Sequence, residues 1–447
     1  MAGTDEMLKD PTPTTTTDIS DSENCTEKEY LMKYRDIMHG TTELPGDFDT
    51  WTAQEQYDWK YRIIMKFTLN IPNSLRDMVP AIMTPINSNI CQEELPEWMD
   101  IDKYRRAQKF VSEHYLSIVL TNLLSLVYSF TFDDGLKGFI LGGHTHTPYL
   151  AFKRYLITVK RMLVWYDGDP WVKGTKAYRE MKITHEKHLA LTRKLALASE
   201  EQIDAALKIE NPWCPERELF RKDFAALCPF AKIDQRPYKL MKYIPYTIKP
   251  KSINNADMSV VQGMLVVVPI LYPQYIGLHN ITDEDLESFC YMWRCYGYFL
   301  GVEDKYNFCR GSLEEIKQRA VDLAETWLLP NFREVNENTL HLIRCATESL
   351  SYFPLVIISS KIIMLLLVGA ININMPNLYA SLSYREWIIY KFYTFILRHA
   401  LKFSVMRSLV KGLLFKVIEA ASNLKPEELA KLHEKSKQQV PDFSINL

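Results

Sequence analysis

The sequence predicts an all-α fold, and three observations support this. From Tyr57 onward, apolar residues recur at spacings of three and four, which is typical of amphipathic helices. Gly is scarce, at 16 of 447 residues, and signals for strands and tight turns are few. A hydrophobic fraction of 47% and a charged fraction of 24% indicate a folded chain with a sizeable core.

The predicted helices follow one another with short connections. The uncharged run at 115–131 lies near the lower length limit for a bilayer span, and we interpret it as a core helix. A Gly-rich connection is expected at 135–148, a long Pro-rich loop at 229–250, and an apolar run of ambiguous type at 258–270. The other predicted helices are 150–166, 175–197, 200–207, 216–227, 283–300, 312–327, 338–350, 355–370 and 384–421.

Composition divides the chain into three parts. Residues 1–50 form an acidic, Thr-rich stretch with too little apolar surface to fold, so we expect a largely disordered tail. Residues 51–380 are expected to form one helical domain, and residues 381–447 basic amphipathic helices. The polar N-terminus and the eight cysteines without a Cys-x-x-Cys pair favour an intracellular, cytosol-facing protein that is not secreted.

Charge and motifs exclude several classes of function. The formal net charge of −2 gives no basic domain for nucleic acid. The chain contains neither Gly-x-Gly-x-x-Gly nor a P-loop, and no Glu-x-x-His of helical di-iron proteins. The His-Glu-Lys-His sequence at 185–188 is one residue too short for the zinc-protease motif.

Two predicted helices carry candidate ligands. On the later helix, Met181, His185 and His188 are spaced to share one face, where a neutral imidazole could bind a metal. On the earlier helix, Arg154 and Thr158 lie one turn apart and could hold an anionic group or polarise a substrate. The alternatives are a pair of structural histidines and a solvated helix face. His144 and His146 are interpreted as loop histidines.

Four segments in order resemble a known family, the ER-bound oxygenase mpaB and rubber oxygenase (latex-clearing protein) catalytic domain. They are Arg154-x-x-x-Thr158 followed by WYDGD at 165–169, the KITH segment at 182–185, MSVVQGMLVVVPILYP at 258–273, and MWRCYGYFLGVEDKYNFC at 292–309. The last contains Trp-Arg-x-x-Gly-x-x-Leu-Gly, ending at Leu300 and Gly301. Together these segments span roughly residues 105 to 350.

The resemblance implies a globin-like helical domain that binds one haem b. Its iron ligand would be His185, with His188 as the second choice, and Arg154 and Thr158 would lie near the distal face or the propionates. The protein would then be an oxidoreductase that uses dioxygen on an apolar, isoprenoid or lipid-like substrate. One departure concerns a distal lysine of rubber oxygenases, at whose position this chain has Ile157. The alternative is a non-catalytic helical protein that keeps the fold and binds lipid or a partner.

A membrane contact is also expected. The segment 384–421 is basic and aromatic, with Lys391, Arg398, Lys402 and Lys416 on one face of an ideal helix. Such a helix suits a membrane surface, for instance of the ER, as a peripheral or anchored segment. Packing of the same helix on the catalytic domain is the alternative. The run at 355–371 contains Lys361, which disfavours a membrane span.

Overall fold

The computed structural model describes residues 43–68, 71–225, 244–333 and 335–440. In these residues every regular element is a helix, apart from one isolated bridge between Pro85 and Asn254. The prediction of an all-α fold is therefore confirmed at this level. Most of the predicted N-terminal tail and of the Pro-rich loop at 229–250 lies outside the described residues.

The α-helices are numbered here in chain order. They are α1 (Ala53–Phe67), α2 (Asn73–Arg76), α3 (Ile101–Glu113), α4 (Tyr115–Ser129), α5 (Asp133–Leu141), α6 (Pro148–Asp167), α7 (Lys176–Leu197), α8 (Glu200–Leu207), α9 (Arg217–Ala225), α10 (Asn255–Leu271), α11 (Asp283–Phe299), α12 (Leu313–Leu323), α13 (Leu329–Arg333), α14 (Glu337–Ser349), α15 (Ser360–Gly369), α16 (Pro376–Ala380), α17 (Tyr384–Arg398), α18 (Ser404–Ser422) and α19 (Pro426–Gln439).

Helices α4, α10, α11 and α14 form the centre of the core. Helix α10 packs against α4 and α12, α11 packs against α3, and α14 packs against α6, which in turn contacts α7. Capping boxes define where two of these helices begin, at Asn254 with Asp257 and at Thr282 with Asp285. Each box satisfies two backbone N–H groups, and an N-cap of this kind typically stabilises a helix by about 1 kcal/mol.

Several predicted elements differ from the structure. The run at 258–270, whose type the sequence left ambiguous, is helical and lies within α10. Its residues are buried on nearly all sides of the helix, so its apolar pattern shows no helical period. The connection at 135–148 contains most of α5. The helix predicted at 355–370 begins only at Ser360, since the preceding residues are irregular and Leu355 has φ +67°.

The helix predicted at 384–421 is two helices, α17 and α18. The chain leaves the α-helical path at His399 and makes a short 3-10 turn, Ala400–Lys402, before α18 begins. His279 Nε2 lies 2.8 Å from the Leu397 carbonyl and donates to it, so it satisfies one of the last carbonyls of α17. The break buries Ala400 and Leu401, and it separates the four basic residues that one straight helix would align.

Helix α12 continues into α13 through a π-helical turn, Ala324–Leu328. Such a turn accommodates one extra residue in the helix. Pro330, which follows it, has no N–H to donate to the preceding turn. The turn places Trp327 and Leu328 in the core, at 8% and 0% exposure.

Within the described residues, no single helix is long and apolar enough to cross a membrane. Helices α3 and α4 reach the required length and composition only together, and they meet at an angle of 96°. Helix α4, the predicted core helix, has most of its residues buried.

Candidate functional site

The candidate residues lie where α6, α7 and the turn before α6 meet. Thr147 caps α6 by accepting from the Leu150 N–H at 3.3 Å, and Thr175 caps α7 by accepting from the Tyr178 N–H at 3.1 Å. These caps fix where the two helices begin. Arg154 therefore lies in the second turn of α6, and the histidines lie near the middle of α7.

Arg154 is a half-buried cation that pairs with no carboxylate of the described residues. Its Nη1 donates to Thr145 Oγ1 at 2.7 Å, and its guanidinium lies 4.6 Å from the centre of the Phe139 ring. Among the described residues, no carboxylate forms an ion pair with Arg154. Burial lowers the pKa of Arg154, which shows the cost of this environment for a charge. An anionic ligand would offset that cost.

His188 is a neutral imidazole close enough to Arg154 for the positive charge to influence it. Burial, and then the nearby charges of His185 and Arg154, lower the pKa of His188 to about 4. Its Nδ1 is buried and has no hydrogen-bond partner in the part of the chain described. Buried polar atoms almost always have partners, so an unpartnered nitrogen indicates a position that a ligand could complete.

His185 has a different environment. Its Nε2 lies 2.9 Å from the Asn87 carbonyl oxygen, so this nitrogen donates to the backbone of another segment. Burial lowers the pKa of His185, which favours the neutral form. With Nε2 engaged, only Nδ1 would be open to a metal unless the Asn87 contact broke. The two histidines thus contact different neighbours, although their spacing places both near one face.

Gly301, the last residue of the Trp-Arg-x-x-Gly-x-x-Leu-Gly segment, packs against the hydrogen bond between His185 and Asn87. Its φ is +91°, and a Cβ there would lie 2.6 Å from the Asn87 carbonyl oxygen and 3.1 Å from His185 Nε2. The Gly301 carbonyl also accepts from the Asn87 N–H at 2.8 Å. The glycine therefore lets three segments meet at His185.

Replacing Gly301 with alanine is expected to lower the free energy of unfolding by about 3 kcal/mol, because the new methyl group meets backbone at a strained φ. Urea denaturation measures the change. Gly412→Ala in α18 is the matched control: a Cβ there meets nothing within 4 Å, so its stability should stay equal or rise by up to about 1 kcal/mol. Equal stabilities of the two variants would contradict the role given to Gly301.

Other members of the segment that carries the resemblance support the fold. Arg294 forms two hydrogen bonds to Asp304, at 2.7 and 2.6 Å, and stacks 4.1 Å from the Trp98 ring centre. A Cβ on Gly297 would lie 2.7 Å from Asn307 and 2.8 Å from Gln262. These contacts hold the end of α11 where Gly301 meets α7.

Arg161 also lies at the site, although the sequence did not predict it as a site residue. Its Nε donates to Glu180 at 2.7 Å, so it joins α6 to α7. Arg154, Thr158 and Arg161 follow spacings of four and three, and this helical stripe could have indicated Arg161 from the sequence. Thr158 is half-buried. Asn87 carries no comparable signal, because its backbone rather than its side chain makes the contact.

The histidines before α6 lie in a turn, as predicted. His144 is exposed and His146 is buried. The His146 carbonyl accepts from His341 Nε2 at 2.8 Å, and His341 Nδ1 accepts from the Trp213 N–H at 2.8 Å. Both nitrogens of His341 are thereby used in tertiary contacts, which identifies His341 as a structural residue.

The residue before Thr158, where the resemblance would place a distal lysine, lies at the surface. Ile157 is 51% exposed, and Lys153 and Lys160 are also exposed. In the described residues no group of three or more His, Cys, Asp or Glu side chains could hold a metal ion. An apolar cavity of about 20 Å³ lies between α2, α10 and α12 and contains none of the candidate residues.

Comparisons with known proteins add no assignment. The chain matches no protein-family model, no curated protein and no solved structure.

Proposed function

We propose that this protein is a haem-b-dependent oxygenase that uses dioxygen on an apolar substrate. The observation that carries the proposal is the pair formed by His188 and Arg154. A neutral imidazole with an unpartnered buried nitrogen lies within the electrostatic influence of a half-buried guanidinium that pairs with no carboxylate of the described residues. Haem presents an iron and two carboxylates, which complement these groups, and the order of the four family-like segments agrees with this choice.

Each residue has a definite part in the proposal. His188 is the iron ligand preferred here, because its imidazole is neutral and its Nδ1 is unpartnered. His185, the first choice from the sequence, is second because its Nε2 is bound to Asn87. Arg154 would neutralise a propionate, with Arg161 and the Thr158 hydroxyl nearby on α6. Haem, when bound, supplies the dioxygen-dependent oxidation, while the protein supplies the ligand, the charge and the apolar surroundings.

The donor set is consistent with haem rather than with a protein-bound metal ion. A porphyrin provides four of the iron ligands, so one imidazole from the protein is sufficient. A metal ion bound by the protein alone would need three or four such side chains.

Absorption spectra of the full chain, expressed with a haem precursor, test the proposal. We expect a Soret band for the wild-type protein and about one haem per chain by pyridine haemochrome assay. His188→Ala should lose most of this haem, while His185→Ala should keep it. Arg154→Leu should reduce haem retention at least tenfold. His341→Asn removes another buried histidine and is the control for general damage, so it should retain haem wherever it folds.

The other outcomes are equally clear. If His185→Ala lost its haem and His188→Ala kept it, His185 would be the iron ligand. A wild-type protein without a Soret band would refute the oxygenase proposal. The alternative, a non-catalytic helical protein that binds lipid or a partner, would then stand, and the exposed apolar surface described next supports that alternative independently.

A further inference from the structure

Helices α17 and α18 expose an unusual amount of apolar surface. Of the 15 residues of α17 only Leu397 is buried, and of the 19 residues of α18 only Val417, Ile418 and Ala421 are buried. Single exposed apolar side chains are common on proteins, but contiguous exposed patches indicate interaction sites. The two helices are called here the C-terminal face.

The exposed apolar residues form one stripe on each helix. On α17 they follow spacings of four and three, at Tyr384, Ile388, Phe392 and Phe395, which are 78%, 47%, 58% and 57% exposed. On α18 the spacing is four, at Val405, Leu409 and Leu413, which are 77%, 65% and 54% exposed. Phe403, 67% exposed, lies between the helices. Residues at these spacings lie on one side of a helix, so each stripe presents one apolar edge outward.

Basic side chains accompany the stripes. Residues 384–422 contain seven Lys and Arg and two Glu, although the whole chain has a formal net charge of −2. Lys391, Arg398, Lys402 and Lys416 are exposed. Lys391 lies within 5.6 Å of the centre of the Trp387 ring, so an aromatic group and a cation occupy the same edge. Exposed aromatic and aliphatic groups with surrounding positive charge are typical of helices that lie on anionic membranes.

The loop before α15 exposes two further apolar residues near α17. Leu355 and Ile357 are 70% and 61% exposed, and Leu355 has φ +67°, which is uncommon for a residue other than Gly. Helix α15, which this loop precedes, packs against α17. Lys361 Nζ also donates to the Ser381 carbonyl at 2.9 Å, just before α17. The loop is thus held close to the start of the C-terminal face.

We propose that the C-terminal face docks the protein on the surface of a bilayer that contains anionic lipids. The positive charge of the C-terminal face favours an anionic bilayer over a second copy of the chain as the occupant. Two copies joined through this face would bring two positively charged surfaces together, whereas an anionic bilayer complements the charge and accepts the aromatic and aliphatic side chains. The proposal does not depend on haem.

Flotation of the full chain with vesicles tests this proposal. We expect binding to vesicles of phosphatidylcholine with about one third phosphatidylserine, at least tenfold weaker binding to phosphatidylcholine alone, and release by high salt. Phe392→Ser with Leu409→Ser should weaken binding to the anionic vesicles at least tenfold. Lys391→Glu with Lys402→Glu should do the same.

Leu197→Ser is the matched control, because Leu197 is 88% exposed but lies at the end of α7. It should bind vesicles as the wild-type protein does, and circular dichroism should show that every variant keeps its helix content. Absence of vesicle binding, or equal binding by all variants, would overturn the proposal. Sedimentation that shows a dimer dissociated by the Phe392→Ser and Leu409→Ser pair, without vesicle binding, would identify a second copy as the occupant instead.

Discussion

Replacing Arg344 with leucine is expected to lower the free energy of unfolding by about 3–5 kcal/mol, because it leaves the buried Glu216 carboxylate without a counter-ion and Glu348 with Lys435 alone, 3.7 Å away. Arg344 Nε donates to Glu216 at 2.9 Å, and Nη1 donates to Glu348 at 2.7 Å. The three side chains are only 10%, 10% and 13% exposed. The guanidinium also lies 4.4 Å from the Trp213 ring centre, so the substitution removes a cation–π contact as well.

Urea denaturation measures this effect, and Arg106→Leu is the control. Arg106 pairs with Glu284 and Asp285 at the surface, where its side chain is 44% exposed. Such pairs contribute about 0–1 kcal/mol, so the control should be nearly as stable as the wild-type protein. A loss below about 1 kcal/mol in Arg344→Leu would show that the buried carboxylates are protonated or hydrated instead.

Acidification between pH 6.5 and 4 is expected to unfold the protein. Burial is the largest cause that lowers the pKa of His114, His146, His188 and His341 from 6.5 to about 4 each. The unfolded chain takes up these protons as the pH falls below 6.5, while the folded chain does so only near pH 4. Stability from these groups is therefore complete above pH 6.5 and is lost with falling pH, at about 1.4 kcal/mol per pH unit for each proton.

The unfolding free energy as a function of pH measures the number of protons involved. We expect a limiting slope of at least four protons for the wild-type protein, because burial also lowers the pKa of His144 and His185. His188→Gln cannot take up a proton at this position, so its slope should be smaller by about one. Leu197→Ser, which changes an exposed side chain that does not titrate, should leave the slope unaltered. A constant stability from pH 7 to 5 would contradict the assignment of neutral buried histidines.

Local signals in the sequence predicted much of the fold. Helix α8 begins and ends where expected, at Glu200 and Leu207, since Ser199 and Gln202 form a capping box. Two boundaries were wrong because composition alone gave no signal for them. The break after Arg398 contains neither Gly nor Pro, and the carbonyl of Leu397 just before it accepts a hydrogen bond from His279, which is distant in the sequence. The irregular residues before Ser360 are as apolar as the helix that follows.

The candidate site was predictable only in part. Helical spacing indicates that Arg154, Thr158 and Arg161 share a face of α6. It does not indicate which histidine of α7 faces them, since His185 and His188 differ by less than one turn. The choice between the two histidines depends on the Asn87 carbonyl, which accepts a hydrogen bond from His185 although the two residues are 98 positions apart in the sequence. Such backbone contacts leave no residue type in the sequence to mark them.

The π-helical turn between α12 and α13 has a consequence for insertions and deletions. A turn of this kind contains one residue more than the α-helix around it needs. Because the turn absorbs that residue locally, deleting one residue from Ala324–Leu328 would restore an uninterrupted α-helix and leave α13 close to its present orientation. Deleting one residue within α12 would instead rotate everything after it by about 100° and shift it by about 1.5 Å, and Phe332, which is fully buried, would leave its place in the core. The π-helical turn is therefore the place in this helix where a change of one residue in length disturbs the core least.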